Sequence, residues 1–389
     1  MLDKKILIIE SKLSHWTTVE PLIVCFLERG WKVDVLSDSF FSNIFSEYSN
    51  IHKLDKYKKN INIKSIKLSS LLGLFFKSKY DITIVSDRFF YEKNIDSNLL
   101  RKIKTFIFSI VKTLLIKNSF RYSHFIITTH FVDNFKLPDK SYSKHTVINL
   151  LLKKVWNLSR KYNKGINVYS SLVKKNFEEK NKKIYVAPNA VFRYHLNDFQ
   201  PNDARKCSIV SPGRIDLRRR SYKWISLLDK SLSDTLNISL IGKAHNSKDL
   251  DVLKQLENKG FQQYVTKINQ FIDFQDFDSQ IEKADFLFAP LINLDDSKRK
   301  IDRNLGAYFD AIRYGKPLLL PSYVPIPDEL IDSCLSYSND EELIKTINLL
   351  INDIPFRNKV KLKAWNNSKN WSPSQISYIK TIIRDSGNE

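Results

Sequence analysis

The sequence predicts an α/β protein made of two doubly wound parallel-sheet domains, and three observations carry that expectation. Short apolar runs alternate with longer amphipathic ones along most of the chain, the pattern of successive strand–helix–strand units. The apolar runs are continuous instead of alternating, as in strands covered on both faces. Around residues 190–206 the run "AVFRYHLNDFQPNDARK" loses periodicity and turns polar, and the alternation then restarts.

In the first half, "KILIIE" reads as a strand, "TVEPLIVCFLERG" as a helix and "WKVDVLS" as the next strand. Thr17 and Glu20 have capping-box spacing, and Gly30 supplies the stop. Further strands are expected in "YDITIVS" (80–86), "HFIITT" (124–129), "INVYSS" (166–171) and "KKIYVAPN" (182–189). In the second half they are expected in "CSIVSPGR" (207–214), "NISLIGK" (237–243), "DFLFAPL" (285–291) and "PLLLPSY" (317–323). Helices are expected over about 221–231, 247–257, 277–283 and 306–314, and beyond 340 the chain reads as helical to its end. The domains are set at 1–193 and 207–364, with a linker over 194–206 and a final helical segment over 365–389.

A length of 389 residues accommodates two such domains, and 42% apolar with 27% charged residues fits a globular protein with a sizeable core. Lys and Arg outnumber Asp and Glu by 63 to 42, a formal +21 that points to anionic partners. Cys25, Cys207 and Cys334 are far apart, so neither a disulfide framework nor a zinc motif is indicated, and a reducing, cytoplasmic setting is expected. In "MLDKKILIIESK" the apolar run is too short for a signal-peptide core. The segment closest to a membrane span, "LLRKIKTFIFSIVKTLLIK" (99–117), is broken by lysines. Its Leu99, Ile103, Phe106, Ile107, Ile110 and Leu114 share one helical face, while Arg101, Lys102 and Lys112 project elsewhere. That face either packs on the first sheet or lies on an anionic bilayer.

The segment "SPGRIDLRRRSYKW" (211–224) follows a strand, turns at Gly213 and brings Arg214, Arg218, Arg219 and Arg220 ahead of an expected helix. Strand ends and helix N-termini in α/β folds present free N–H groups to phosphates, and guanidinium forks add bidentate contacts. "DFD" (276–278) has the look of a metal-binding pair, but it opens a helix instead of ending a buried strand, so helix capping is the expectation and no metal site is assigned. His130 follows "FIITT" and His15 lies after the first strand, both where the sheet's carboxyl edge is expected; imidazole there suits general-base work. Asp87 and Arg88 sit at another such strand end and are candidates for substrate contacts.

Together these blocks resemble the nucleotide-sugar glycosyltransferases of the GT-B superfamily, over nearly the whole chain and most sharply over 182–321. "KKIYVAPNAV" resembles the family's strand into the interdomain linker, and Gly213-Arg214 with Arg219 resembles its diphosphate-gripping Gly-Arg…Lys pair. "LIGKA", with Gly242 and Lys243, is similar to its next strand and turn, and "IEKADFLFAPL", with Pro290, to the strand opening on the donor pocket. In "KIDRNLGAYFDAIRYGKPLLLP" (300–321), Asp302 and Asp310 have the spacing of its paired acidic residues, and "AIRYGKP" matches its helix end. The pair is Asp where the family has Glu, one methylene shorter, and "ESKLSHWTTVE" lacks the family's glycine pair.

The resemblance implies two Rossmann-like domains facing across a cleft, with the C-terminal helix packing back on the N-terminal domain. It implies a metal-independent transfer from a nucleotide diphosphate sugar, UDP being the expected nucleotide, to a saccharide acceptor. Asp302 would meet the sugar, Asp310 the ribose hydroxyls, and Arg214 with Arg218 and Arg219 the diphosphate. Lys300, Arg303, Asn304, Leu305 and Gly306 would complete the donor contacts, and His130 would face the donor sugar, with His15 as a further candidate base. The expected role is bacterial surface-polysaccharide synthesis on a lipid-linked acceptor at the inner face of the membrane. A sugar-nucleotide epimerase of the same fold is the rival enzyme; nucleic-acid binding is disfavoured because the charge is dispersed and no recognised module is present.

Overall fold

A computed structural model describes residues 4–10, 16–37, 59–77, 79–86, 99–118, 120–128, 146–175, 182–187, 206–265, 267–270, 274–292 and 306–387, with a few isolated positions between them. The chain divides into two compact units, residues 1–189 with 373–389, and residues 190–372.

The first unit holds a seven-stranded parallel sheet of β1 (Lys5–Ile9), β2 (Lys32–Ser37), β3 (Ile61–Ser65), β4 (Ile82–Ser86), β5 (His124–Thr128), β6 (Gly165–Val168) and β7 (Lys183–Val186), in the order β3-β2-β1-β4-β5-β6-β7. The order reverses between β1 and β4, which pair in register from Ile6 with Ile82. β4 is buried along its whole length, as its unbroken apolar run requires. Helix α1 (Trp16–Leu27) begins one residue before Thr17, so Thr17 lies inside the helix and is not its cap. Gly30 adopts φ +75° and closes the helix with its N–H on the Leu27 carbonyl at 2.9 Å.

Three further long helices belong to this unit, α2 (Leu68–Lys77), α3 (Leu99–Asn118) and α4 (Thr146–Tyr162), with α3 against both neighbours, and a short α5 (Ser171–Lys175) joins β6 to β7. α3 packs through a different face from the apolar stripe read in its sequence. Ile103, Phe106, Ile107, Ile110 and Leu114 are exposed, between 39% and 47% of each surface. The buried face is instead Thr105, Ser109, Val111, Lys112, Leu115 and Ile116. Its polar groups are satisfied locally: Ser109 Oγ donates to the Thr105 carbonyl at 2.7 Å, and Lys112 Nζ sits 4.8 Å from the Phe89 ring centre.

The second unit has a five-stranded parallel sheet of β8 (Cys207–Pro212), β9 (Leu236–Ile241), β10 (Phe286–Phe288), β11 (Leu318–Pro321) and β12 (Cys334–Tyr337), in the order β12-β11-β10-β8-β9. Its reversal falls between β8 and β10, the switch point at which open α/β sheets bind ligands outside the carboxyl ends. The helix expected over 221–231 is only α6 (Trp224–Leu227) followed by a 3-10 turn, Lys230–Asp234. Leu228 turns extended, and Asp229 caps the second piece by accepting from Ser231 N, so the helix breaks there. α7 (Ser247–Asn258) and α8 (Phe274–Lys283) follow, then α9 (Gly306–Tyr314) and α10 (Asp340–Asn352).

The last helix, α11 (Ile354–Asp385), contributes to both units. Its first half seats buried Arg357 and Lys361 in the second unit, where Lys361 Nζ lies 2.6 Å from Asp285. In the first unit, Asp385 accepts from Lys183 Nζ at 2.6 Å and Tyr185 Oη at 2.9 Å. Gly165 makes room for that arrangement, since a Cβ there would sit 2.3 Å from the Tyr185 ring.

Candidate functional site

The site is built where β8 ends. Gly213 takes φ +93°, a conformation costly for any residue with a side chain, and swings the chain out of the sheet. From Arg214 the loop runs beside the segment leaving β9: Ile215 N donates to the Lys243 carbonyl at 3.2 Å, and Ile215 bridges Ala244 in parallel. That register sets Arg214, which is exposed, beside Lys243, which is half-buried. Gly242 permits the approach. A Cβ on it would fall 1.3 Å from the Gly213 carbonyl oxygen and 3.2 Å from Arg214 N, so the two loops touch backbone to backbone.

Asp216, 3% exposed, organises the arginines. Its carboxylate accepts from Arg218 N and Nε at 3.0 Å and from Arg218 Nη2 at 3.1 Å, and Arg219 Nε lies at 3.7 Å. Its carbonyl accepts from Arg219 N and Arg220 N. The hydrogen bonds from Arg218 hold the Asp216 carboxyl below its ordinary pKa against the opposing effect of burial. Arg220 turns inward, donating to Ser211 Oγ at 2.8 Å and the Pro212 carbonyl at 2.7 Å, and burial lowers its pKa.

The same loop is stitched to the chain leaving β10. Ser221 N donates to the Pro290 carbonyl at 2.7 Å, Ile292 N to the Arg219 carbonyl at 3.0 Å, and Arg220 bridges Leu291. Buried Trp224 anchors it below, its ring edge-on to Phe288 at 5.2 Å between centres. Tyr323, following β11, donates to the Leu291 carbonyl. Loops from four adjacent strands are thereby tied into one surface at the carboxyl edge of the sheet.

That surface joins Gly213, Arg214, Arg218, Arg219, Gly242, Lys243 and Pro290. Gly306 opens α9, and Asp310 lies half-buried one turn into it. Since α9 follows β10, its N-terminus also belongs to the carboxyl edge. Lys300, Asp302, Arg303, Asn304, Leu305, His15, His130, Asp87 and Arg88 lie outside the described residues. Arg218 and Arg220 are both engaged within the loop: Asp216 holds the first guanidinium, and Ser211 Oγ with the Pro212 carbonyl holds the second. Asp276 and Asp278 fall within α8, where Asp278 accepts from buried Tyr314 and pins α8 to α9. No cluster of three or more metal-ligating side chains occurs among the described residues.

Sequence reasoning missed Asp216, whose place two residues before Arg218 is the signature of a side chain bonding the backbone ahead of it. It also missed the Asn246-x-x-Asp249 cap of α7, in which Asn246 accepts from Asp249 N at 2.9 Å and Asp249 accepts from His245 N at 3.1 Å.

No protein-family model matches the chain, and no curated protein sequence does. Solved structures do match over essentially the whole length, and the fold they share with this chain is the GT-B fold. A Rickettsia africae glycosyltransferase aligns over 100% of both chains at a TM-score of 0.59 and 13% identity. Anabaena HepE, solved in complex with UDP and glucose, aligns over 98% of this chain and 100% of its own at 0.55 and 12%. A putative UDP-N-acetylglucosamine 2-epimerase from Listeria monocytogenes aligns over 97% of each chain at 0.52 and 9%.

Proposed function

We propose that the protein is a nucleotide-sugar glycosyltransferase whose donor lies along the carboxyl edge of the second sheet. The observation that carries this reading is the backbone contact of Gly242 with Gly213, which, with the Ile215–Ala244 bridge, sets Arg214 and Lys243 side by side as one cationic ledge. A diphosphate fits such a ledge, because two cations held in place neutralise its charge with little reorganisation. Asp310 supplies a carboxylate, an acceptor-only group suited to the vicinal hydroxyls of a ribose. Asp302 would meet the donor sugar, and His130 or His15 would serve as base. The structure of Anabaena HepE with UDP and glucose supports UDP as the nucleotide.

The acceptor we assign is a lipid-linked saccharide of bacterial surface polysaccharide, met at the inner face of the membrane. No helix among the described residues is long and apolar enough to cross a bilayer. The exposed stripe of α3 is suited to lying on one: its apolar side chains face out, with Lys102 and Lys104 in its sequence and exposed Lys117 at its end. Lys112, in contrast, is buried and plays no part in that contact.

The decisive experiment titrates UDP, GDP, CMP and dTDP and their sugars against thermal stability, which a ligand of the native state raises. One nucleotide should stabilise, Arg214→Ala should weaken it about tenfold, and transfer should continue in excess EDTA. No stabilisation by any of them overturns the reading. The likeness to the Listeria epimerase keeps one rival in view: conversion of UDP-N-acetylglucosamine to its 2-epimer with no acceptor present would favour it. For the membrane, Ile107→Gln with Ile110→Gln should abolish flotation with vesicles containing phosphatidylglycerol; unchanged flotation would reject the stripe.

A further inference from the structure

At the outer edge of the first unit, where β2, β3 and α2 meet, lies a cavity of about 450 Å³, within the size range of small-molecule sites. Asp34 on β2 and Asn62 on β3 are register partners, so their side chains share the face that lines it. The Asp34 carboxylate accepts from Asn62 Nδ2 at 2.8 Å and from Tyr80 Oη at 2.6 Å. A carboxylate offers about four acceptor positions, so these two neutral donors fix its orientation and leave acceptor capacity facing the cavity. Ser69 and Ser70, in the first turn of α2, add two hydroxyls to the lining.

Gly73 is the odd residue. It sits inside α2, where glycine costs about 1 kcal/mol relative to alanine. Neither a turn nor a close approach demands it, because an added Cβ would meet nothing within 4 Å. It lines the cavity, where its lack of a side chain leaves bare backbone.

We infer that this cavity is a saccharide-binding subsite, remote in sequence from the donor loops and in the other unit. Fixed acceptors beside hydroxyl and amide groups match the alternating donors and acceptors of vicinal sugar hydroxyls. The Tyr80 ring and Leu74 offer apolar surface for the C–H face of a pyranose. The lining carries one carboxylate, Asp34, and one ammonium, Lys64, so its charges offset and suit a neutral polar ligand; the polar lining disfavours a purely apolar one, and one carboxylate is too few for a metal. That the occupant is the growing glycan rests on the glycosyltransferase reading; saccharide binding itself does not.

Saturation-transfer NMR on the full chain, with maltotriose, chitotriose and methyl mannoside as probes, tests this. At least one should give a signal in the wild type. Asp34→Ala should reduce it several-fold. Gly73→Leu, which fills the cavity with a better helix former, should abolish it while leaving thermal stabilisation by nucleotide intact. Absence of signal from all three probes, or equal signal from wild type and Gly73→Leu, overturns the inference. Saccharide binding that persists in a protein showing no sugar transfer would sink the transferase reading and leave the subsite standing.

Discussion

Asp216 and Asp285 are 3% and 2% exposed, and both hold basic side chains, at opposite edges of the same five-stranded sheet. At the carboxyl edge, Asp216 grips arginines whose far sides face solvent: Arg218 and Arg219 side chains are 79% and 54% exposed. At the amino edge, Asp285 accepts from Ser208 N at 2.9 Å and pairs with Lys361, itself 8% exposed. Lys316, which donates to the Glu282 carbonyl at 2.7 Å, lies close enough to that pair for Lys361 and Asp285 to affect its titration. The first aspartate shapes a surface that can bind; the second closes a seam between α11 and the sheet. The difference lies in where the cation sits, facing solvent in one case and enclosed by the fold in the other.

The largest effect should come from the seam. Lys361→Met removes the cation that lies 2.6 Å from the buried Asp285 carboxylate, and should cost roughly 3–5 kcal/mol in urea unfolding while the folded fraction binds nucleotide normally. Wild-type stability would show that the seam does not depend on the pair. Gly242→Ala comes next. Its methyl group collides with backbone, so the loops must separate, at about 1–3 kcal/mol in stability and with at least tenfold weaker nucleotide binding by calorimetry. Retained affinity would break the ledge model. Asp216→Asn should reverse the balance seen for Lys361→Met: because Arg218 is exposed, stability should change by less than about 1 kcal/mol, while nucleotide affinity falls several-fold as the loop loses its organiser.

The smallest effects separate the edges by pH. The Asp216 pKa is depressed in the folded state, so its stabilisation is full above the ordinary carboxylate value and is lost as pH falls through the folded value. The stability gap between wild type and Asp216→Asn should therefore close in acid. Lys316 behaves in the opposite sense. Burial first, and then Lys361, pull its pKa down to about 8. The folded protein therefore pays to keep it charged at low pH, and is relieved as pH rises from about 8 toward the unfolded value of about 10.4. Wild type should gain stability relative to Lys316→Met over that window, and a constant difference would contradict the shift.

Much of this was legible before any coordinates, for identifiable reasons. "YDITIVS", "HFIITT" and "NISLIGK" become β4, β5 and β9 because β-branched runs buried on both faces permit little else. "INVYSS" ends early, at Val168, because Tyr169 and Ser170 already form the bend into the next helix. β3 and β12 escaped notice: "INIKS" and "CLSY" are edge strands, half-covered and without the continuous apolar signal of the interior. The turns at Gly213 and Gly242 were readable as strand ends because strand–turn chemistry is local. The inward turn of Arg220 was not, since its acceptors, Ser211 Oγ and the Pro212 carbonyl, are defined only once the loop has folded back. The outward face of α3 was likewise hidden. Periodicity identifies an apolar stripe, but which way it points depends on whether Ser109 and Lys112 find partners inside.

The meeting of Gly242 with Gly213 has a consequence for anyone wishing to redesign the proposed donor ledge. With no side chain between them, the two turns share a single layer of main chain, and neither has slack of its own. Grafting a foreign sequence into one would displace the other, so the segments after β8 and β9 form a cassette to be exchanged together. Libraries that randomise either turn alone should return mostly inactive clones, whatever chemistry the new side chains offer.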